Sequence, residues 1–208
     1  MTFAGFPDEA LVFYEGLEAD NSKAYWSDHK SVYDDCVAAP MKQLLAELEP
    51  TFGAAKLFRP YRDVRFSKDK TPYKTRQYAV IHTGDEGLYV GIDAAGLHLG
   101  GGRFHASTEQ VHRMRTAIAG DLTGVPLQKV LTKLVRDGYE VGGDQLKRVP
   151  KPWDGEHPRA DLIRHKSLIS WIDHAPEPWL HTSAAKDHVV KAWKALAPLN
   201  TWLATHAG

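Results

Sequence analysis

The chain has one cysteine in 208 residues, Cys36, so no internal disulfide can form and a secreted disulfide scaffold is excluded. Asp34 and Asp35 beside it should raise the thiol pKa, which argues against an activated thiolate. Net charge is also missing: 26 Lys and Arg balance 26 Asp and Glu. That removes the domain-wide basic balance usual in nucleic-acid-binding domains. No apolar run approaches the ~20 residues of a spanning helix. The opening MTFAGFPDEALVFYEGLEADN has acids among its apolar positions and no basic leader. A cytoplasmic protein with no membrane partner is expected. Repeats and low-complexity tracts are lacking, so 208 residues read as a single domain.

Familiar catalytic spacings are absent too. There is no convincing Ser/His/Asp or Cys/His grouping, no paired carboxylates at a recognisable spacing, and no HExxH or Cys/His module among eleven histidines. His157, Asp161 and His165 recur every four residues, but His157 precedes Pro158 and reads as a capping residue. No metal and no cofactor are expected. GGGRFHAST (Gly100 to Thr108) lacks the P-loop ending, so its glycines read as a tight strand turn rather than an oxyanion cradle.

What is present is a change of period along the chain. Pro7 to Leu17 reads as a helix with Asp8 and Glu9 at its positive end. Asn21 or Ser22 caps a second helix through Trp26 and Tyr33, which Pro40 interrupts or kinks before Met41 to Leu48 resumes it. Lys56 to Phe66 and Gln77 to Thr83 read as strands, and Gly87 to Gly102 as a hairpin with a three-residue loop ending in Gly. Ser107 and Gln110 form a capping box for a helix over Val111 to Ala119, and Pro126 begins another that ends at Gly138. One more short strand is expected within Tyr139 to Val149, and then a helix from Pro158 to Trp171. A last helix starts near Thr182 or Ser183, with Pro198 near its end. The expected class is α+β: a central antiparallel sheet of about four to six strands flanked by N-terminal and C-terminal helices.

The densest chemistry lies in RPYRDVRFSKDKTPYKT, residues 59 to 75. It holds six Lys or Arg and two Asp, 6 − 2 = +4 in a neutral chain. As a strand it would carry Arg59, Tyr61, Asp63 and Arg65 on one face, and would set Arg62 on an otherwise apolar face. Two arginines around one carboxylate can grip a phosphate or carboxylate through planar forks. Lys70, Tyr73 and Lys74 follow on a turn fixed by Pro72, where Tyr73 between two lysines could have a lowered pKa and act as acid or base. The candidate ligand-binding set is therefore Arg59, Arg62, Asp63, Arg65, Lys70, Tyr73 and Lys74, and no catalytic residue is assigned. The expected partner is a small phosphorylated or carboxylated ligand, with an enzymatic role left open. The alternative is a binding module for nucleic acid or an acidic protein, nucleic acid being the less favoured, with the Arg/Asp cluster partly a structural salt-bridge network.

These residues resemble the signature R-x-x-R-D-x-R-F-x-x-x-[DN]-K-x-x-Y of a mainly bacterial family of unknown function, number 2461, which also has fungal members. Arg59, Arg62, Asp63, Arg65, Phe66, Lys70 and Tyr73 match it, with the Asp69–Lys70 pair one place early. The resemblance extends through GFPDEALVFYEGLEADNSKAYW, LGGG and LKRVPKPWDGEHPRADLIRHKSL. It implies membership of the family and, because the family carries no assigned activity, no reaction.

Overall fold

A computed structural model describes residues 2–208. Helix α1 (Asp8–Ala19) is followed by α2 (Lys23–Val32), a π-helical stretch Tyr33–Ala38, and α3 (Ala39–Phe52). Strands β1 (Ala55–Leu57), β2 (Arg76–Thr83), β3 (Glu86–Asp93) and β4 (Gly96–Arg103) come next. Then follow α4 (Thr108–Ala119), α5 (Asp121–Arg136), β5 (Glu140–Gly142), α6 (Ala160–Ile163), β6 (Leu168–His174), a 3-10 turn Pro178–His181, and α7 (Ala184–Ala207). The fold is α+β, with one open antiparallel sheet in the order β1-β2-β3-β4-β6-β5 and helices at both ends of the chain. No helix among the described residues is long and apolar enough to cross a membrane.

The chain forms two compact units. The first comprises the described part of Met1–Ile81, with Tyr89–Leu99 and Asp173–Lys191. Its core is aromatic: Phe13 lies 5.1 to 6.0 Å from the rings of Tyr14, Tyr25, Trp26 and Tyr33. Ser22 caps α2 by accepting from the Tyr25 N–H at 3.1 Å. The π-helical stretch ends two residues before Pro40, and the Ala39 N–H bonds to the Asp34 carbonyl five residues back. A proline has no N–H and crowds the carbonyl four residues before it, so one wider turn carries the helix past it. At the unit's opposite end in sequence, Lys186 pairs with Glu47 at 2.6 Å, and the Phe3 N–H donates to the same carboxylate.

The second unit comprises His82–Leu88, Gly100–Ile172 and Ala192–Gly208. The expected capping box is complete: Ser107 Oγ accepts from Gln110 N–H and Gln110 Oε1 from Ser107 N–H. The glycine run closes up the packing. A Cβ at Gly101 would lie 3.3 Å from Gly87 O and from Leu196 Cβ, and Gly102 has φ +127° with the Leu168 carbonyl against it.

Several expected elements differ. Of the expected 56–66 strand, Lys56 and Leu57 pair with β2 as part of β1 (Ala55↔Ile81 beginning the register), and the basic stretch beyond is loop apart from one bridge, Tyr61 to Tyr73. The hairpin loop is two residues, Ala94 and Ala95, rather than three. The helix expected from Pro158 to Trp171 shrinks to Ala160–Ile163, because LISWIDH pairs as β6 with β5, Val141 opposite Ser170. Leu168 and Ser170 are buried on the same strand face, a period of two that outweighs the local helix signal. Helix α5 starts five residues before Pro126, and α7 runs nine residues beyond Pro198, so both prolines sit inside helices.

Candidate functional site

Residues 58–75 form a narrow ribbon within the first unit. Lys74 N–H donates to the Pro60 carbonyl at 2.7 Å and Arg62 N–H to the Pro72 carbonyl at 2.9 Å, flanking an antiparallel bridge between Tyr61 and Tyr73. In that arrangement Tyr61 and Tyr73 are a non-hydrogen-bonded pair with side chains on one face and backbone groups turned outward. Asn21 takes up the outward groups of Tyr73: its Oδ1 accepts from the N–H at 3.0 Å and its Nδ2 donates to the carbonyl at 3.1 Å. One side-chain amide thus replaces a neighbouring strand. The Tyr73 ring stacks on Trp26 at 4.4 Å with 7° between planes. Below it, Tyr33 Oη donates to Gln77 Oε1, and Gln77 Nε2 donates to the Phe58 carbonyl at 2.7 Å.

The charged residues divide by partner. Asp63 holds Arg65 with a two-point fork, Nε to Oδ1 at 2.9 Å and Nη2 to Oδ2 at 2.6 Å, and accepts the Arg65 N–H as well. These bonds, the side-chain fork first, hold the Asp63 carboxyl below its usual pKa. Asp69 pairs with Arg62 and accepts from Thr71 N–H and Oγ1; the Thr71 bonds lead in lowering its pKa. Lys70 Nζ donates to the Val64 carbonyl and Lys74 Nζ to the Arg59 carbonyl, both at 2.9 Å. Lys74 also lies 4.9 Å from the Tyr78 ring centre. Arg59 and Lys68 make no ion pair among the described residues. At the tip Phe66 is 96% exposed.

Each predicted site residue therefore has a definite place. Arg59, Arg62, Asp63, Arg65 and Lys70 are exposed, Lys74 is half-buried, and Tyr73 is 6% exposed. The strand reading that set Arg62 on a core face does not hold: Arg62 lies on the loop, exposed and paired with Asp69. Nor is Tyr73 acidified by its lysines. Burial, and then Tyr61, push its pKa up, and both neighbouring ammonium groups donate to backbone carbonyls. Tyr73, buried and stacked on Trp26, anchors the ribbon. Burial is also the first cause of the raised Cys36 pKa, ahead of Glu9 and Asp35.

Sequence reasoning missed a second cluster in the first unit. His98 Nε2 lies 2.7 Å from Asp93 Oδ1, and its Nδ1 2.7 Å from Asp173 Oδ1. A neutral imidazole has one N–H and one lone pair, so two carboxylate partners require the doubly protonated ring. Burial pulls the His98 pKa down, but the bonds to Asp93 and Asp173 outweigh it and leave it raised. Burial likewise opposes ionisation of Asp93, yet the His98 bond and charge, the Ala95 N–H and Arg76 hold its pKa low. Asp93 and His98 flank the hairpin turn, a signal within reach of the sequence; Asp173 is 75 residues from His98 and is not. His157, Asp161 and His165 have separate duties. His157 Nδ1 accepts the Arg159 N–H, Asp161 pairs with Arg164, and His165 Nδ1 donates to the Ser167 carbonyl.

The chain belongs to the family of conserved hypothetical proteins DUF2461, whose model matches residues 9–202. None of the curated proteins compared with it matches.

Proposed function

We propose that the ribbon at residues 59–74 recognises an anionic ligand through its phosphate or carboxylate groups. One observation carries this reading. Both carboxylates of the ribbon are consumed by Arg62 and Arg65, so four cations (Arg59, Lys68, Lys70 and Lys74) keep their charge with no ion pair among the described residues. Uncompensated cations grouped on one short ribbon, two of them held by backbone carbonyls, raise the local concentration of anions. In this reading Arg59, Lys68, Lys70 and Lys74 meet the ligand. Asp63, Arg62 and Arg65 stiffen the ribbon as a small ion-pair network, and Tyr73 fixes it to α2. The same reading has the protein working in a bacterial cytoplasm, where its single cysteine stays reduced.

Titration calorimetry with pyrophosphate and with citrate at low salt tests it. Arg59→Ala and Lys70→Ala should each weaken binding roughly tenfold, as expected for loss of one charge-assisted bond. Unchanged affinity in both variants, or no binding by the parent protein, removes the proposal. A second reading, docking of nucleic acid or an acidic protein surface, is favoured by the exposed Phe66 at the tip, next to Arg65. Duplex DNA binding would fall steeply with salt through counterion release.

A further inference from the structure

We infer that the ligand of the ribbon is a nucleotide unit, whose planar ring lies on Tyr61 while its phosphate meets the neighbouring cations. This rests on the reading of the ribbon as an anion site and adds the class of molecule that carries the anion.

The decisive feature is the way Tyr61 is held. Its ring is one of three: Trp26 and Tyr73 stack on each other, and Tyr61 lies 5.7 Å from Trp26 and 5.6 Å from Tyr73. Trp26 and Tyr73 are buried, while Tyr61 remains 46% exposed. The backbone on both sides of Tyr61 is pinned, by Lys74 N–H to Pro60 O and by Arg62 N–H to Pro72 O. A half-exposed aromatic ring that packs against two others on a fixed backbone loses little freedom when another ring stacks on it. Nucleobases stack on such rings regardless of sequence, because every base has a π-face.

The charges around Tyr61 suit the other half of a nucleotide. Arg59 lies two residues before Tyr61 at the base of the ribbon, close enough to Asp63 for its charge to help hold that carboxyl low. Arg59 has no ion pair of its own among the described residues. Lys30 of α2 is already paired with Asp34. A half-exposed ring on a pinned backbone, with an unpaired guanidinium two residues away, provides both contacts that a base and its phosphate need. A purely anionic ligand would make no use of the exposed ring.

The test compares four probes on the intact chain by calorimetry at one salt concentration: inorganic phosphate, ribose 5-phosphate, adenosine monophosphate and a ten-residue oligothymidylate. Adenosine monophosphate should bind roughly tenfold or more tighter than ribose 5-phosphate, the order expected for one stacked base. Tyr61→Ala should erase that difference, and Tyr61→Phe should keep it. In Tyr61→Trp, binding should quench the new indole. The oligothymidylate separates sources: tighter binding than the mononucleotide identifies a single strand, weaker binding a free nucleotide. Equal affinities for ribose 5-phosphate and adenosine monophosphate in the parent protein overturn the inference while leaving the anion reading intact. Absence of binding by all four probes overturns the inference, and absence of pyrophosphate and citrate binding as well removes both readings. These two outcomes are read on the parent protein alone and depend on no variant.

Discussion

Arg103 with Glu86 in the second unit and Arg65 with Asp63 on the ribbon are the same chemical pair in opposite surroundings. Arg103 and Glu86 are 1% and 2% exposed. Arg103 Nε donates to Glu86 Oε1 at 3.0 Å, and Nη1 to the Ala207 carbonyl near the end of α7. Its charge is fully used in closing the C-terminal helix onto β3 and β4. Arg65, by contrast, is 76% exposed and has its one carboxylate two residues away in sequence. Such a pair fixes local shape and contributes little to global stability, because water already solvates both ions. A salt bridge written in residue letters thus says nothing about its role until burial is known.

The comparison can be broken at several points. The largest effect is expected from Arg103→Ala, which strands Glu86 away from water and leaves the Ala207 carbonyl without its donor. A loss of about 3–5 kcal/mol in urea unfolding is expected. A loss below about 1 kcal/mol would make the buried pair no different from a surface one. Replacing both Arg103 and Glu86 with Met should recover most of the stability, since it is the unpaired ion that costs.

Next comes Asn21→Ala, which removes both bonds to the Tyr73 backbone. Two part-buried hydrogen bonds correspond to about 1–3 kcal/mol, and anion affinity should fall with it as the ribbon loosens. Calorimetric binding together with thermal melting checks both, and stability loss with unchanged affinity would separate the ribbon's anchoring from its recognition.

The His98 cluster gives a pH effect of intermediate size. His98 has a raised pKa, so its stabilisation is full below the unfolded histidine value near 6.5 and is lost as pH rises through the folded value. Asp93 has a lowered pKa, so its contribution is present above the unfolded carboxylate value and is lost as pH falls through the folded one. Melting temperature should therefore be highest between about pH 4.5 and 6.5 as far as this cluster is concerned. His98→Gln should flatten the decline on the alkaline side; the same decline in that variant would assign it to other groups. The smallest effect is expected for Arg65→Ala, whose melting temperature should stay within experimental scatter of the parent while its ribbon loses rigidity.

Much of the fold was legible because local chemistry specified it. Ser22 and the Ser107–Gln110 box each act within a few residues of themselves. The failures have a common cause. LISWIDH reads as a continuation of a helix until β4 and β5 are seen on either side of it, and no local signal carries that information. Pro126 and Pro198 read as helix boundaries, yet tertiary packing of Leu127, Leu131, Leu196 and Leu199 holds the helices through them. In the site, the residue types and the excess of charge came from the sequence directly. Where the lysine ammonium groups are held did not, because Lys70 and Lys74 bond to carbonyls 6 and 15 residues away.

The sequence by itself determined the α+β class, the family, and the concentration of four excess charges in seventeen residues. Composition, capping and periodicity are properties of neighbours along the chain, and these conclusions needed nothing else. Tertiary structure alone decided that Tyr73 is buried while Tyr61 stays half-exposed, that Arg103 is buried and Arg65 is not, and that His98 joins two carboxylates. Each of those depends on solvent access and on partners brought in from distant segments, and burial is what turns the same ion pair from a surface feature into a structural one.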